Sequence, residues 1–100
     1  MSLALYNKIS GEIIAAAIEV HKQMGPGMLE YAYEQCLIFE LESRNLKVES
    51  QVKQALVYKG TELNKHFFLN LLVEDLVAIE LKCAEDILPV HEVQLVTYLN

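Results

Sequence analysis

The spacing of apolar residues changes once along this chain, and that change limits the fold more than any other feature. Before residue 45, apolar side chains recur at intervals of three and four, as they do along one stripe of a helix. From Leu46 they alternate with polar side chains, which is the period of a strand with one wet face. The chain is therefore expected to place two helices ahead of a sheet.

The first helix is predicted from about Leu5 to Met24 and the second from about Leu29 to Arg44. Gly25-Pro26-Gly27 separates them, because glycine favours non-helical backbone and proline cannot continue the hydrogen-bond ladder. Asn45 suits the left-handed residue that ends a helix. On the second helix, Glu34 is expected to face water.

Three strands and a final helix are predicted in the second half of the chain. The strands are expected at Leu46 to Tyr58, Phe67 to Val73 and Val77 to Lys82, with a turn at Lys59-Gly60. A last helix is expected from about Pro89 to Leu99, because proline fits the first turn of a helix. This order predicts an α/β or α+β fold without repeats or linkers.

The composition limits the size and the setting of this fold. One hundred residues permit a single domain, spanning residues 1–100. Apolar residues make up 53% of the chain, above the usual range of about 45–50%, so part of this excess is expected in a subunit interface. A homo-oligomer, most simply a two-fold dimer, is therefore predicted.

The charge and the hydropathy of the chain limit the kinds of partner that it is expected to have. No apolar run approaches the ~20 residues of a membrane span, and the first residues lack the features of a secretory signal, so a cytoplasmic protein without a membrane partner is expected. The formal charge of −6 opposes a broad nucleic-acid surface, since phosphate contacts need clustered lysine and arginine. A nucleic-acid partner would then require a small local site.

Glu80-Leu81-Lys82 is the segment most able to carry chemistry. Alternation along a strand puts Glu80 and Lys82 on one face, about 6–7 Å apart along the backbone. In a metal-dependent phosphodiesterase such a glutamate would ligate magnesium and the lysine would orient the attacking water. Taken alone, the motif also arises by chance on any exposed strand of mixed charge.

Asn70 is a polar residue among leucines, ten residues before Glu80. If residues 74–76 form a three-residue loop, Val73 pairs with Val77 and position 70 falls opposite position 80 on the same face. A two-residue loop would place the two side chains on opposite faces. Asn70 is either a polar group tolerated beside water or part of a site with Glu80.

Three further residues have both a structural and a functional interpretation. Gln94 and Tyr98 are four residues apart and share a face of the predicted last helix, where Tyr98 could equally be a core residue. Glu30 stands in the first turn of the second helix, where a carboxylate favours the positive end of the helix dipole. Glu30 is thus either a helix-terminal acid or a group linked to a metal.

Taken together, these segments resemble one known family over nearly the whole chain. Gly27, Glu30 and Tyr33 stand at the spacing of the GxxExxY signature, and the same family's pattern continues through Ile79-Glu80-Leu81-Lys82 and the segment from Pro89 to Leu99. That family is similar to the PD-(D/E)XK nuclease superfamily, most closely its branch with a Gln-x-x-x-Tyr motif.

The resemblance implies a restriction-endonuclease-like core, with a central mixed sheet flanked by helices, and magnesium- or manganese-dependent cleavage of nucleic acid. By motif, Asn70 occupies the place of the metal-binding aspartate. Glu80 and Lys82 match the Glu-x-Lys pair, Gln94 and Tyr98 match the helix pair, and Glu30 matches the signature acid. The metal ligands implied are therefore Asn70, Glu80 and Glu30.

Two departures separate this chain from the family pattern. Asn70 replaces the aspartate, and an amide oxygen brings no negative charge to hold a metal. The sequence also stops at Asn100, where the family usually continues into further strands, so a sheet truncated at the C-terminus is expected. These departures leave two alternatives to a nuclease, a catalytically degenerate binding module and a dimerisation module.

Overall fold

A computed structural model describes the backbone of residues 3–83 and 91–97 and the side chains of residues 3–81. Two helices come first, α1 (Leu3–Met24) and α2 (Glu30–Ser43). Four strands follow, and their bounds are β1 (Val48–Tyr58), β2 (Thr61–Val73), β3 (Val77–Cys83) and β4 (His91–Thr97). The α+β class is confirmed.

The four strands form one sheet in the order β1-β2-β3-β4, so each strand pairs with its neighbour in sequence. All three pairings are antiparallel, whereas the resemblance implied a mixed sheet. The reason is connectivity. Short hairpin connections join β1 to β2 and β2 to β3, and such connections can only produce antiparallel neighbours.

Both helices pack on one face of this sheet. Apolar residues of α1 and α2 meet alternate residues of β2 and β3 in a single buried cluster. Its members are Ile9, Ile13, Ala16, Ala17, Val20, Tyr33, Leu37, Leu41, Leu71, Val73, Val77, Ile79 and Leu81. In β2 and β3 these are the odd-numbered residues. The even-numbered residues therefore belong to the opposite face, called here the outer face and represented by Phe68, Asn70, Leu72, Ala78 and Glu80.

The local signals at helix ends and turns were predicted correctly. Asn45 follows α2 with a φ of 63°, the left-handed conformation in which asparagine often ends a helix. Lys59 and Gly60 join β1 to β2, and both have positive φ, as a tight hairpin turn of this hand requires. These features depend on backbone preferences of a few residues, which is why local sequence identifies them.

The predicted last helix is wrong, because residues 91–97 form strand β4, paired antiparallel with β3. The segment is rich in valine and threonine, which are stiff at χ1 and pack well on a pleated surface. Pairing with β3 also satisfies backbone groups that would otherwise form a sheet edge. The tertiary partner thus overrides the four-residue spacing of Gln94 and Tyr98 that favoured a helix.

Strand β2 is longer than predicted, and neither α1 nor α2 covers the outer half of the β1–β2 hairpin. Val48 and Val52 of β1 are half-buried, whereas Leu56 and Tyr58, predicted on the same face, are exposed. β1 is a strand along its whole length, but only the part of the hairpin beneath the helices packs against the core.

The connection between β2 and β3 is held by contacts with the residue that precedes β1. The Glu74 amide donates to the Lys47 carbonyl at 2.8 Å, and a Glu74 carboxylate oxygen accepts from the Lys47 amide. Lys47 Nζ also lies 2.9 Å from Asp75 Oδ2. These contacts, together with a bond from the Leu76 amide to the Val73 carbonyl, hold a three-residue connection.

The ion pair at this connection predicts a small loss of stability in acid. The hydrogen bond from Lys47 lowers the pKa of Asp75 below its usual value of 3.8, so the stabilisation is present above that pH and is lost as the pH falls through the lower folded value. Both side chains are exposed, so the effect is small and weakens with salt. Asp75→Asn, which also tolerates a left-handed backbone, should therefore be less stable than the parent at about pH 7 and equal to it at about pH 2 in urea unfolding. A stability difference that stays constant between these pH values would assign it to something other than the charge.

Candidate functional site

The register of β2 and β3 brings Asn70 and Glu80 to the same position on the outer face. Val73 pairs with Val77 and Leu71 pairs with Ile79, so positions 70 and 80 come directly after the last pair and lie on the same side of their strands. The three-residue connection predicted for this arrangement is the one observed, and Asn70 and Glu80 share a face of the sheet.

The sheet opens at this same point. In an unbroken ladder the Leu81 amide would bond to the backbone of Leu69, but it donates instead to Asn70 Oδ1 at 3.0 Å. The described β2–β3 pairing accordingly ends at Leu71 and Ile79, while β2 continues in register with β1. The Asn70 carboxamide therefore occupies the fork where β2 leaves β3.

A cavity of about 280 Å³ lies at this fork. Its lining comes from the two diverging strands and consists of Phe67, Phe68, Leu69, Asn70, Ala78, Ile79 and Glu80. Glu80 is exposed and Asn70 is half-buried, so the polar end of the cavity reaches solvent while its walls are apolar. A mostly apolar concave site with a few convergent polar groups is the usual form of a ligand site.

Position 51 of β1, which the register sets beside Asn70, also departs from regular strand geometry. Gln51 has a φ of 52°, and the described β1–β2 pairing passes from Ser50–Leu71 to Val52–Leu69 without it. Its carboxamide donates to Glu34 Oε1 at 3.4 Å. The left-handed residue thus interrupts the pairing of β1 with β2 next to the fork, while the register on either side of it stays the same.

Glu34 was predicted to face water, and that prediction is wrong. Only 7% of the residue is exposed, and it lies on α2 within reach of Gln51. The helical spacing of α2 is regular, but the strand that packs beside it covers this position and supplies a polar partner. A signal for this contact is absent from local sequence, because Gln51 is 17 residues away along the chain.

The remaining predicted site residues are placed by backbone position. Lys82 follows Glu80 by two positions in β3, and Gln94 of β4 is the direct register partner of Glu80. Gln94 therefore reaches the position of Glu80 on a strand, not on the helix that was predicted. The side chains of Lys82 and Gln94, and the whole of Tyr98, lie outside the described residues.

The GxxExxY segment separates into two different environments. Glu30 is the first residue of α2 and is exposed, and it is not part of the cavity lining. Tyr33 is buried in the core, where its hydroxyl donates to the Ala17 carbonyl at 3.4 Å and burial raises its pKa. Gly27 has a φ of 85°, a backbone conformation that glycine adopts at little cost. Tyr33 and Gly27 thus have structural roles in the loop and the helix pairing.

Sequence reasoning did not single out Phe67 and Phe68, although both line the cavity. A signal was available. Two consecutive aromatic residues in a strand cannot both face one side, so at least one of them had to lie away from the helices. Phe68 is that residue by register, and 63% of it is exposed.

The fork has one carboxylate, which is the smallest number with which proteins usually hold a magnesium ion. Magnesium in proteins is usually held by one or two carboxylates, with water and substrate phosphate completing its shell. Glu80 supplies one carboxylate, and Asn70 supplies an amide oxygen that already accepts a hydrogen bond. Among residues with described side chains, no group of three or more acidic, histidine or cysteine residues is arranged to hold a metal. These residues fit a weakly held, largely hydrated ion.

Comparison with known proteins agrees with this geometry at the level of the superfamily. No helix in the described part of the chain is long and apolar enough to cross a membrane. Comparisons with curated proteins and with solved structures found no match. A sequence model of the PD-(D/E)XK nuclease superfamily matches residues 7–100, which include most of α1, all of α2, the fork and the Glu80-x-Lys82 segment. The chain belongs to the PD-(D/E)XK nuclease superfamily.

Proposed function

We propose that this protein is a metal-dependent phosphodiesterase of the GxxExxY type, in the branch with a Gln-x-x-x-Tyr motif, and that its substrate is nucleic acid. Magnesium or manganese would be held at the fork by Glu80 and by the amide oxygen of Asn70. Because only one of these groups is charged, the ion is held weakly and cleavage is slow.

The observation that carries this proposal is the position of Asn70 and Glu80. The two residues directly follow the last pair of the β2–β3 register and line one cavity at the point where β2 and β3 separate. A site for phosphodiester cleavage needs an acid that is open to solvent and a gap that admits the backbone of the substrate. Glu80 is exposed, and the cavity of about 280 Å³ at the fork is the gap that this proposal assigns to the substrate.

The residues of this chain would divide the work as the motif implies. Glu80 contributes negative charge for the ion, and the bound ion would supply a more acidic water and charge neutralisation at the phosphate. Lys82 would orient the attacking water and offset phosphate charge, and Gln94, opposite Glu80 in register, would contribute a polar group beside it. Tyr98 and Glu30 enter the proposal only through the motif.

A second candidate function is a binding or dimerisation module on the same scaffold. The observation that favours it is the hydrogen bond from the Leu81 amide to Asn70 Oδ1, which gives the asparagine a structural role without any metal. Exposed apolar residues on both helices, including Ile14, Ile18 and Phe39, would then serve an interface between copies. A homo-oligomer stays a prediction.

Titration with Mn²⁺ or Mg²⁺ separates the two candidates. We expect weak binding to the parent protein and a loss of affinity of about tenfold or more in Glu80→Gln, because the variant removes the carboxylate at the fork. Glu42→Gln is the matched control, since it removes an exposed carboxylate at the far end of α2. Isothermal calorimetry measures the affinity, and a gel assay with DNA and RNA substrates measures cleavage.

Equal metal affinity in the parent, Glu80→Gln and Glu42→Gln would contradict a metal site at the fork. In that case a dimer in sedimentation velocity, dissociated by a charged substitution at Phe39, would favour the dimerisation module.

A further inference from the structure

The part of the β1–β2 hairpin beyond the fork, residues 52–69, extends past the helices, and we call it the hairpin arm. Its charge is opposite to that of the chain as a whole. The arm carries three lysines and a single acidic residue, Glu62, for a formal charge of +2, whereas the chain carries −6. A polyanion would therefore be attracted to this region and repelled by most of the remaining surface.

The arm is also unusually rich in exposed aromatic and aliphatic side chains. Tyr58, Phe67 and Phe68 are 60%, 45% and 63% exposed. An exposed phenylalanine on a two-stranded hairpin gains nothing from a core, so the conformation of the arm leaves these rings available to a partner. Lysines interleaved with exposed rings are the combination that binds unpaired nucleotides, with bases stacked on the rings and phosphates near the ammonium groups.

Register places one ring and one lysine next to the fork. Lys53 pairs directly with Phe68, so their side chains lie on the same face of the arm. Phe68 precedes Asn70 by two positions in β2, which is about 6–7 Å along the strand, and therefore belongs to the same face. The face thus runs from Lys53 and Phe68 to Asn70 and then across to Glu80.

We propose that Phe68 and Lys53 bind single-stranded nucleic acid and direct it into the fork. A base stacks on the exposed ring of Phe68, and the Lys53 ammonium contacts a neighbouring phosphate. The strand then continues toward Glu80 through the cavity that Phe68 itself lines. The occupant is an unpaired strand, because only an unstacked base can lie flat on an aromatic ring. This inference names the substrate class of the proposed nuclease, but the binding it describes requires no metal.

Binding is best measured without divalent ions, so that it is independent of cleavage. Fluorescence anisotropy in EDTA, with labelled single-stranded DNA, single-stranded RNA and a DNA duplex, gives the affinity of the full chain for each. We expect tighter binding to one or both single strands than to the duplex. Phe68→Ala should weaken single-strand binding by about tenfold, and Phe68→Tyr, which keeps a ring, should restore most of it.

Lys53→Gln tests the phosphate contact through its dependence on salt. The variant should bind less tightly and should reduce the slope of log affinity against log salt by about 0.7, as expected for one phosphate contact to a single strand. Two controls match these changes away from the arm, Phe39→Ala on α2 and Lys8→Gln on α1, and both residues are exposed. Thermal unfolding of every variant shows whether the fold is intact.

The outcomes distinguish this inference from the proposed function. Single-strand binding that depends on Phe68 and Lys53 supports the inference even if no metal binds at the fork. Single-strand binding in EDTA that is unchanged by Phe68→Ala and Lys53→Gln would overturn the inference while leaving the nuclease proposal intact. Equal losses of single-strand affinity in Phe68→Ala and Phe39→Ala would also overturn it. So would a Phe68→Ala variant that loses a dimer but keeps its affinity for the single strand.

Discussion

Replacing Asn70 with aspartate is expected to strengthen the binding of Mg²⁺ or Mn²⁺ at the fork by about tenfold or more. The substitution changes one atom of the side chain and adds a negative charge opposite Glu80. At the effective dielectric constant of about 20 that suits partly buried sites, charges a few ångströms apart interact by several kcal/mol, so a tenfold change in affinity, about 1.4 kcal/mol, is a modest expectation.

The fold should survive this substitution. The bond from the Leu81 amide needs only an acceptor at position 70, and a carboxylate oxygen accepts a hydrogen bond at least as well as an amide oxygen does. Without metal, Asn70→Asp is expected to be slightly less stable than the parent, because two carboxylates then lie at one fork. Thermal unfolding with and without Mn²⁺ measures both effects, since a ligand that binds the native state raises its stability.

Asn45→Asp is the matched control for Asn70→Asp. It makes the same chemical change and the same change in net charge, but at the end of α2, where a left-handed aspartate is tolerated. Calorimetry should find stronger metal binding in Asn70→Asp alone. An equal gain in both variants would mean that net charge, and not a ligand at position 70, changes the affinity.

Truncating Tyr33 is expected to have the largest effect on stability. Only 1% of the residue is exposed, and its ring lies in the cluster shared by both helices and the sheet. Replacing a buried aromatic residue with alanine typically costs about 3–5 kcal/mol, from lost burial and from the cavity that remains. For a domain of this size that is a large share of the total stability, so Tyr33→Ala should be partly unfolded at physiological temperature.

Two further variants make this expectation specific. Tyr33→Phe keeps the ring and removes the hydroxyl that donates to the Ala17 carbonyl, so it should cost about 1 kcal/mol. Tyr31→Ala, two residues earlier on α2 and 73% exposed, should change the free energy of unfolding by less than about 1 kcal/mol. Urea unfolding measures all three. Similar losses in Tyr33→Ala and Tyr31→Ala would show that the signature tyrosine is not a core residue.

These two expectations concern motif positions with different roles. Asn70 at the fork is expected to affect the affinity for a metal ion, whereas Tyr33 in the core is expected to affect the stability of the fold. A sequence motif does not separate these roles, because both appear only as a residue type at a given spacing. Burial and hydrogen-bond partners separate them.

The sequence by itself determined the features whose causes are local or periodic. The helical stripe of α1 and α2, the left-handed Asn45 and the turn at Lys59-Gly60 all depend on residues within one or two turns of each other. That Asn70 and Glu80 share a face of the sheet also followed from sequence once the connection between β2 and β3 was taken to have three residues, because strand alternation has an exact period of two.

The tertiary structure alone decided the features that depend on a distant partner. Residues 91–97 have spacings compatible with a helix, and pairing with β3 makes them a strand. Glu34 is buried and accepts a hydrogen bond from Gln51 of β1, and the outer halves of β1 and β2 are exposed because neither α1 nor α2 covers them. At the fork, the Leu81 amide donates to the Asn70 side chain instead of to the ladder. Each of these outcomes depends on which backbone and side-chain groups lie close together in space. The spacing of residues along a sequence does not give those distances.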